Sequence, residues 1–339
     1  MKGLKFFDKL VFVLNTIAAI TLLLSYVLAY LPPKQFASLS VLSLAVPFLI
    51  VLNLLFFLYW LFKMKRQLML SLFVLLLGYS YLFSFFKISK SEIVTEEPNF
   101  KIMNYNVRLF NLYNWIEGDN VTAQINDFIL QKEPDVICFQ EYIRHDDIHL
   151  KAYNNTDKLF PKTSKCGLAV YSKYPIINAN LIEFDNSYNN AMYADIVKGG
   201  DTLRVFNVHL QSSGINTDVD KLSESSSMVL RDRLSEIFKI QQDQAELVLK
   251  HKEQSPYPVL ITGDFNNTAY SYVYRKIKGD FNDAFVQAGQ GFGRTFNFKF
   301  FPVRIDFVLV EPEVNVLNFE TFDQKLSDHF PIMATLNLH

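Results

Sequence analysis

The segment Val259-Leu260-Ile261-Thr262-Gly263-Asp264-Phe265-Asn266 frames the reading of the whole chain. A short apolar and β-branched run, preceded by Pro256 and Pro258 and closed by Gly-Asp-x-Asn, describes a buried strand that ends in a turn. The ending alone is ordinary, because Gly, Asp and Asn supply turn geometry. Its weight comes from repetition along the chain. Upstream, the β-rich run 100–107 finishes Asn104-Tyr105-Asn106-Val107-Arg108. The short apolar run 135–139 leads into Gln140-Glu141, and 203–208 leads to His209-Leu210. Downstream, Arg304-Ile305-Asp306 lies in the run 303–310, and Ser327-Asp328-His329-Phe330-Pro331 precedes the run 331–338.

Further strands are expected at 167–171 and 191–197. A helix is expected at 122–131, with Ile125, Phe128 and Ile129 on one face, and a long amphipathic one at about 224–252 carrying Met228, Leu234, Ile237, Ala245 and Leu249. Mixed helices and strands, with strands often consecutive, predict one α/β domain over 100–339 in which helices cover a pair of sheets. Buried strands bring their ends together at one rim, so six such ends predict a pocket of carboxylates, amides and two histidines. Oxygen donors of that kind suit Mg²⁺ or Mn²⁺ rather than zinc. Asn207 lies two residues before His209, on the same strand face, and is expected to reach the site or to act as a structural amide. Arg304 is expected to contact phosphate or to pair with an acid. Cys138 and Cys166 are too few for a disulfide framework and are expected as two buried thiols.

The first quarter of the chain is different in kind. Apolar runs at about 10–31, 39–62 and 68–86 each approach the ~20 residues that cross a bilayer. Uncharged runs of this length, three in succession, predict an anchor of three transmembrane helices over 1–90, with 91–99 a polar linker. Ser25, Ser43, Asn53 and Ser71 are expected to pack or hydrogen-bond between helices. Lys2, Lys5 and Lys9 precede the first run, and Lys63, Lys65 and Arg66 follow the second. The positive-inside rule places both segments in the cytoplasm and the C-terminal domain outside it.

The ordered set N-x-N, Q-E, H-L, G-D-F-N, R-x-D and S-D-H-x-P resembles the endonuclease/exonuclease/phosphatase (DNase-I-like) superfamily. The resemblance covers about residues 100–338 and is most specific at G-D-F-N and S-D-H-F-P. It implies a four-layered α/β sandwich and a divalent-metal-dependent cleavage of phosphoester bonds. It further implies that Asn106 and Glu141 hold the metal, Glu141 directly, with Asp328 a second acid close by. His209 would contact the phosphate, and Asp264 and Asn266 would position the water and the phosphoryl oxygens. Asp306 would partner His329 as general base.

The substrate is bounded by charge. Nine of the 33 basic residues but one of the 34 acids fall in 1–91, leaving about −9 on 92–339. A strongly basic nucleic-acid-binding domain is excluded, since affinity for a polyanion rests on Lys and Arg. Local basic groups (Arg108, Lys158, Lys162, Lys165, Lys173) keep an extracytoplasmic Mg²⁺-dependent nuclease as the alternative. A non-catalytic membrane-anchored interaction module is the third reading, disfavoured by the intact polar set. The leading expectation is a membrane-tethered hydrolase of a lipid-linked or small phosphoester outside the cytoplasm.

Overall fold

The computed structural model describes residues 4–88, 99–118, 120–159, 166–214, 227–298 and 301–338. The linker expected at 91–99, apart from Asn99, and most of the loop after His209 lie outside the described residues, as do Lys162 and Lys165.

The N-terminal region forms α1 (Phe6–Ser25), α2 (Pro33–Val41), α3 (Val46–Phe62), α4 (Leu68–Leu77) and α5 (Tyr79–Phe85). Two stretches, Phe6–Tyr30 and Pro33–Phe62, are long and apolar enough to cross a membrane. The third expected span is not one straight helix: α4 and α5 meet at 81°. The bend falls at Gly78, where a Cβ would lie 2.1 Å from the Tyr26 ring, and the Tyr26 hydroxyl donates to the carbonyl of Val74 (3.1 Å). A bare backbone at 78 therefore admits an aromatic ring at the point where the helix breaks.

Polar side chains face inward in this bundle beside buried Leu22, Val46 and Ile50, while many apolar ones face outward. Asn15 Nδ2 donates to Ser71 Oγ (2.6 Å), and Trp60 Nε1 donates to Asn15 Oδ1 (2.9 Å). Asn53 Nδ2 donates to the carbonyl of Ala18 (3.2 Å). Leu14, Ile17, Ile20, Leu24 and Leu55 are exposed around them. Asn53 and Ser71 thus bond between helices as expected, whereas Ser25 and Ser43 bond back to Leu22 and Ser40 within their own segments.

Beyond residue 99 two six-stranded mixed sheets pack face to face. The first has the order β11 (Asn315–Thr321), β12 (Ile332–Asn337), β1 (Phe100–Asn106), β2 (Val136–Ile143), β4 (Cys166–Ser172), β3 (Asn154–Leu159). The second has the order β5 (Ile176–Glu183), β6 (Asn190–Lys198), β7 (Asp201–His209), β8 (Val259–Asp264), β10 (Asp306–Val310), β9 (Asn282–Asp283). Between them lies a core of Ile102, Val136, Val170, Val205, Leu260 and Val308, among others. Outside the first sheet α6 (Val121–Lys132) buries Val121, Ile125, Phe128 and Ile129, the spacing of one helix face. Outside the second, α7 (Ser227–Glu253) buries Leu234, Ile237, Phe238, Ala245 and Val248, with the short α8 (Tyr272–Lys278) and α9 (Ala284–Ala288) nearby. Met228, expected in the buried stripe, is instead exposed. Cys138 is a buried free thiol, but Cys166, on the β4 edge of a bulge, is only half-buried.

Each sheet holds one central parallel pair, β1 with β2 and β7 with β8. Parallel strands end at the same rim. The register sets Asn106 opposite Gln140 and His209 opposite Asp264, while antiparallel β10 brings Asp306 opposite Asp264.

Candidate active site

At that rim Asp264 is the hub. Its Oδ2 accepts from Asn106 Nδ2 (3.0 Å) and lies 3.5 Å from Nε2 of both His209 and His329. Its Oδ1 accepts from the backbone N–H of Asn266 (2.8 Å). Asn266 has φ 49°, a conformation that Asn tolerates better than most residues, and this folds its amide back onto the carbonyl of Leu210 (3.0 Å). Asp306 Oδ2 lies 2.9 Å from His329 Nδ1. Its orientation is held by the backbone, because the N–H groups of Ile305 and Asp306 both donate to Thr295 Oγ1.

Glu141 reaches the same place by a bulge. The β2–β4 register slips between Phe139 and Tyr142, and Glu141 has φ 48°. A bulge of this kind re-aims one side chain off the strand face. Asn106 Nδ2 donates to Glu141 Oε1 at 3.2 Å. The last arrival is Asp328, 3.1 Å from Nη1 of Arg108. Ser327 fixes this turn by donating to the carbonyl of Asn106 (2.8 Å) while accepting from the N–H of His329. Glu141, Asn266, Asp328 and His329 line a cavity of about 790 Å³; Asp264, Asp306 and His209 sit behind them.

The electrostatics follow from this crowding. Burial pushes the Asp264 carboxyl well above the ordinary carboxylate range, and neighbouring Asp306 adds to the rise against the opposing pull of His329. Burial would lower the pKa of His329, but Asp306 and then Asp264 outweigh it and raise the imidazole well above its ordinary value. His209 goes the other way: burial, helped by His329, lowers it to about 3, so it is neutral at physiological pH. Its Nε2 makes no hydrogen bond among the described residues. Burial and then Asp328 raise the Glu141 carboxyl. Four acids thus share a site with the guanidiniums of Arg108 and Arg304 and the imidazole of His329.

All eight residues expected as catalytic or metal-holding therefore converge; of the two expected to bind substrate, Arg304 lines the same cavity and Asn207 does not. Asn207 spends both amide hydrogens on the carbonyls of Phe139 (2.9 Å) and Ala169 (3.1 Å), and its oxygen accepts from Gln140. It ties the two sheets together beneath the rim. Arg304 is buried with Nη1 on Asp283 Oδ2 (2.7 Å), its guanidinium 4.6 Å from the Phe285 ring and 4.7 Å from that of Phe307. It pairs with an acid, the other half of its expectation.

Three supports carry no expected role in the sequence: Asn104 and Gln140, which stand in its motifs, and Thr295. Asn104 donates to Asp306 Oδ1 (3.2 Å) and accepts from Gln140 (2.8 Å), so the amide ladder Asp306–Asn104–Gln140–Asn207 runs under the site. The period-2 spacing of Asn104 and Asn106 was the available signal. Thr295 had none.

The donor set fits a divalent cation. Glu141 and Asp328 raise no hydrogen-bond donors of their own, repel each other and face the cavity beside the amide of Asn106. Asp264, Asp306 and His329 also lie within 4.8 Å of one another, but there the histidine and Asp306 already bond each other.

Comparison with known proteins agrees with the geometry. No curated protein matches the chain by sequence. An endonuclease/exonuclease/phosphatase of Bacteroides vulgatus has the same fold over 72% of this chain and 100% of its own, at 22% identity and a TM-score of 0.57. A mannosyl-6-phosphatase of Bacteroides thetaiotaomicron aligns over 70% and 100% at 18% identity and 0.58. The human nocturnin catalytic domain, with bound sulfate, aligns over 73% and 96% at 15% identity and 0.56. At such identities the likeness shows the fold. Residues 8–85 match a family described as a domain of unknown function. Residues 103–329, about two thirds of the chain, match the model of the endonuclease/exonuclease/phosphatase family, so the protein belongs to that family and is a hydrolase of phosphoester bonds.

Proposed function

We propose that the protein is a membrane-anchored, divalent-metal-dependent phosphoesterase, with residues 1–90 as anchor and 100–339 as catalytic domain. It would act outside the cytoplasm on a lipid-linked or small phosphoester. The observation that carries this is the pairing of two cavity-facing carboxylates, Glu141 and Asp328, with the buried Asp264–His329–Asp306 cluster. Asn106, Glu141 and Asp328 would hold Mg²⁺ or Mn²⁺. Such an ion screens the phosphoester's negative charge and stabilises the charge that develops.

The charge balance favours a division of labour different from the one the motifs imply. With carboxylates near both ring nitrogens, at 2.9 Å and 3.5 Å, His329 would stay protonated and serve as a fixed cation for the phosphoryl oxygens. The proton of the attacking water then passes to Asp264, whose raised pKa makes it a better base than an ordinary carboxylate. Neutral His209 offers a hydrogen bond to the phosphoryl group without adding charge.

The sign of the pH dependence follows. The rate rises as Asp264 ionises and falls as His329 deprotonates. Asp306→Asn removes a carboxylate that raises the His329 pKa, so the alkaline limb of kcat/KM moves to lower pH while the acid limb does not rise. If His329 were the base, the same variant would shift the acid limb down and leave no alkaline loss.

Orientation is supported by which loop touches the catalytic domain. Lys34 pairs with Asp243 and Glu246, and the Arg275 guanidinium lies 3.7 Å from the Tyr30 ring. Lys63 pairs with Asp8 at the opposite, more basic end of the bundle. A polyanionic substrate is disfavoured by the acidic domain. The reading is tested by turnover of soluble nitrophenyl phosphoesters by the full chain with Mg²⁺, Mn²⁺ or EDTA. Glu141→Gln is expected to raise the metal concentration for half-maximal rate by at least about tenfold. Metal-independent turnover would defeat the proposal.

A further inference from the structure

The cavity that opens on Glu141 and His329 does not end within the catalytic domain. Its far wall is made by the membrane helices: Pro47 and Phe48 of α3 and Phe85 of α5 line it, opposite Phe292, Phe301 and Phe238. The aromatic side chains form one continuous layer. Phe301 packs on Phe48 with ring centroids 4.2 Å apart and on Phe85 at 5.5 Å, and Phe292 meets Phe85 at 5.2 Å and Phe86 at 4.9 Å. The backbone joins there too, with reciprocal hydrogen bonds between Lys87 and Gly291 (2.9 and 2.8 Å). The bend at Gly78 is what turns α5 toward this contact. One chamber therefore has charged groups at one end and phenyl rings continuous with candidate membrane spans at the other.

Its surroundings share this character. Met228 and Val229 at the start of α7 are exposed, and Val41 and Leu44 pack against Leu234, Ile237 and Phe238. On the catalytic side Trp115, 42% exposed, lies 4.4 Å over the Arg108 guanidinium, with exposed Tyr113 and Leu112 beside it. A small hydrophilic phosphoester would fill the polar end and leave the aromatic wall in contact with water, an arrangement that apolar surface disfavours. At about 790 Å³ the chamber is in the size range that encloses a ligand well beyond a phosphate group.

We infer that the substrate is a phosphorylated lipid of the bilayer that enters sideways between α3, α5 and the rings of Phe292 and Phe301. Its phosphoester lies at Glu141 and His329, and its hydrocarbon lies along Phe48, Phe85 and Phe301. This deepens the phosphoesterase reading and rests on it for the chemistry, but not for the docking.

The test uses the full chain in phosphatidylcholine vesicles containing phosphatidic acid with a photoreactive acyl chain. Labelling is done in EDTA, so that it needs neither metal nor turnover. The expected labels fall on the peptides holding Phe48, Phe85 and Phe292–Phe301; labels confined to the outer faces of α1 and α3 would overturn the inference. Turnover is then compared between phosphatidic acid and a soluble nitrophenyl phosphate, with Mg²⁺. Phe301→Glu, and the exposed Phe292→Glu in case the first fails to fold, should lower kcat/KM on the lipid roughly tenfold or more, as expected from spoiling an apolar subsite. The soluble ester should change less than about twofold by the same logic. Equal losses on both substrates would overturn the lipid subsite and leave the phosphoesterase reading standing. Wall labelling without turnover of either compound would overturn the phosphoesterase reading and support the lipid site.

Discussion

Asp264→Asn is expected to abolish most turnover while leaving the protein as stable as before, or more so. The carboxylate touches Asn106, the Asn266 backbone and both histidines, and it is buried. An amide of the same shape cannot accept a proton from water, and the loss of a positioned general base costs about 10²–10⁴-fold in rate. Burial disfavours the ionised form of Asp264, a penalty the amide lacks, and this offsets the cost of turning the amide NH2 toward one of the donors that Oδ1 and Oδ2 now accept. Loss of activity and retention of thermal stability should therefore separate in one variant. His329→Ala should lose activity to a similar degree but also lose stability, because it strands the Asp306 carboxylate beneath it. Both are checked by kcat with a soluble phosphoester and by thermal unfolding in the same detergent. An Asp264→Asn enzyme within tenfold of the parent would remove Asp264 from the chemistry.

Gly263→Ala is the second large effect, and its target is the fold. Gly263 belongs to the strand β8, pairs in register with Val208 of β7 and has φ 148°. A Cβ there would lie 1.9 Å from the Val208 carbonyl oxygen and 2.7 Å from its carbon and nitrogen, all backbone atoms that cannot rotate aside. Relief requires prying apart the parallel pair that sets His209 opposite Asp264. The expected cost is about 3 kcal/mol or more, from overpacking together with an unfavourable backbone conformation. Gly200 serves as the control: nothing lies within 4 Å of its added Cβ, and Gly200→Ala should stay within about 0.5 kcal/mol. Folded yield and thermal stability distinguish the two, and a Gly263→Ala protein as stable as Gly200→Ala would refute the packing argument.

This glycine also marks the limit of what is legible one residue at a time. From the sequence, Gly263 is a turn residue. In the fold it is a strand residue whose missing side chain lets two strands meet closely. The buried strands 100–107, 135–139, 203–208 and 259–262 were legible because each is short, dominated by apolar and β-branched or aromatic residues, and followed by a polar strand end. The edge strands β3, β5, β9 and β11 were not, because β3, β5 and β11 interleave Asn with apolar residues and imitate loops, and β9 is only the pair Asn282–Asp283. The helix α7 was legible in its apolar spacing. The exposure of Met228 was not, because an apolar residue near the membrane helices follows a different rule from one in a water-soluble core.

From the sequence alone, the order of acids, amides and histidines at strand ends was enough to name the family and the residues that gather, and the long uncharged apolar runs gave the membrane-like character of the first quarter. These are properties of periodicity and adjacency, which a chain carries in one dimension. Tertiary structure alone decided that Asn207 is spent on Phe139 and Ala169 while Arg304 pairs with Asp283 at the cavity wall, that His329 is flanked by two carboxylates while His209 stays neutral, and that Gly78 bends the third apolar run toward the catalytic domain. Each of those outcomes depends on which distant group supplies the partner for a buried donor or charge. That choice is made by strand register and helix packing across more than a hundred residues, and no local pattern encodes it.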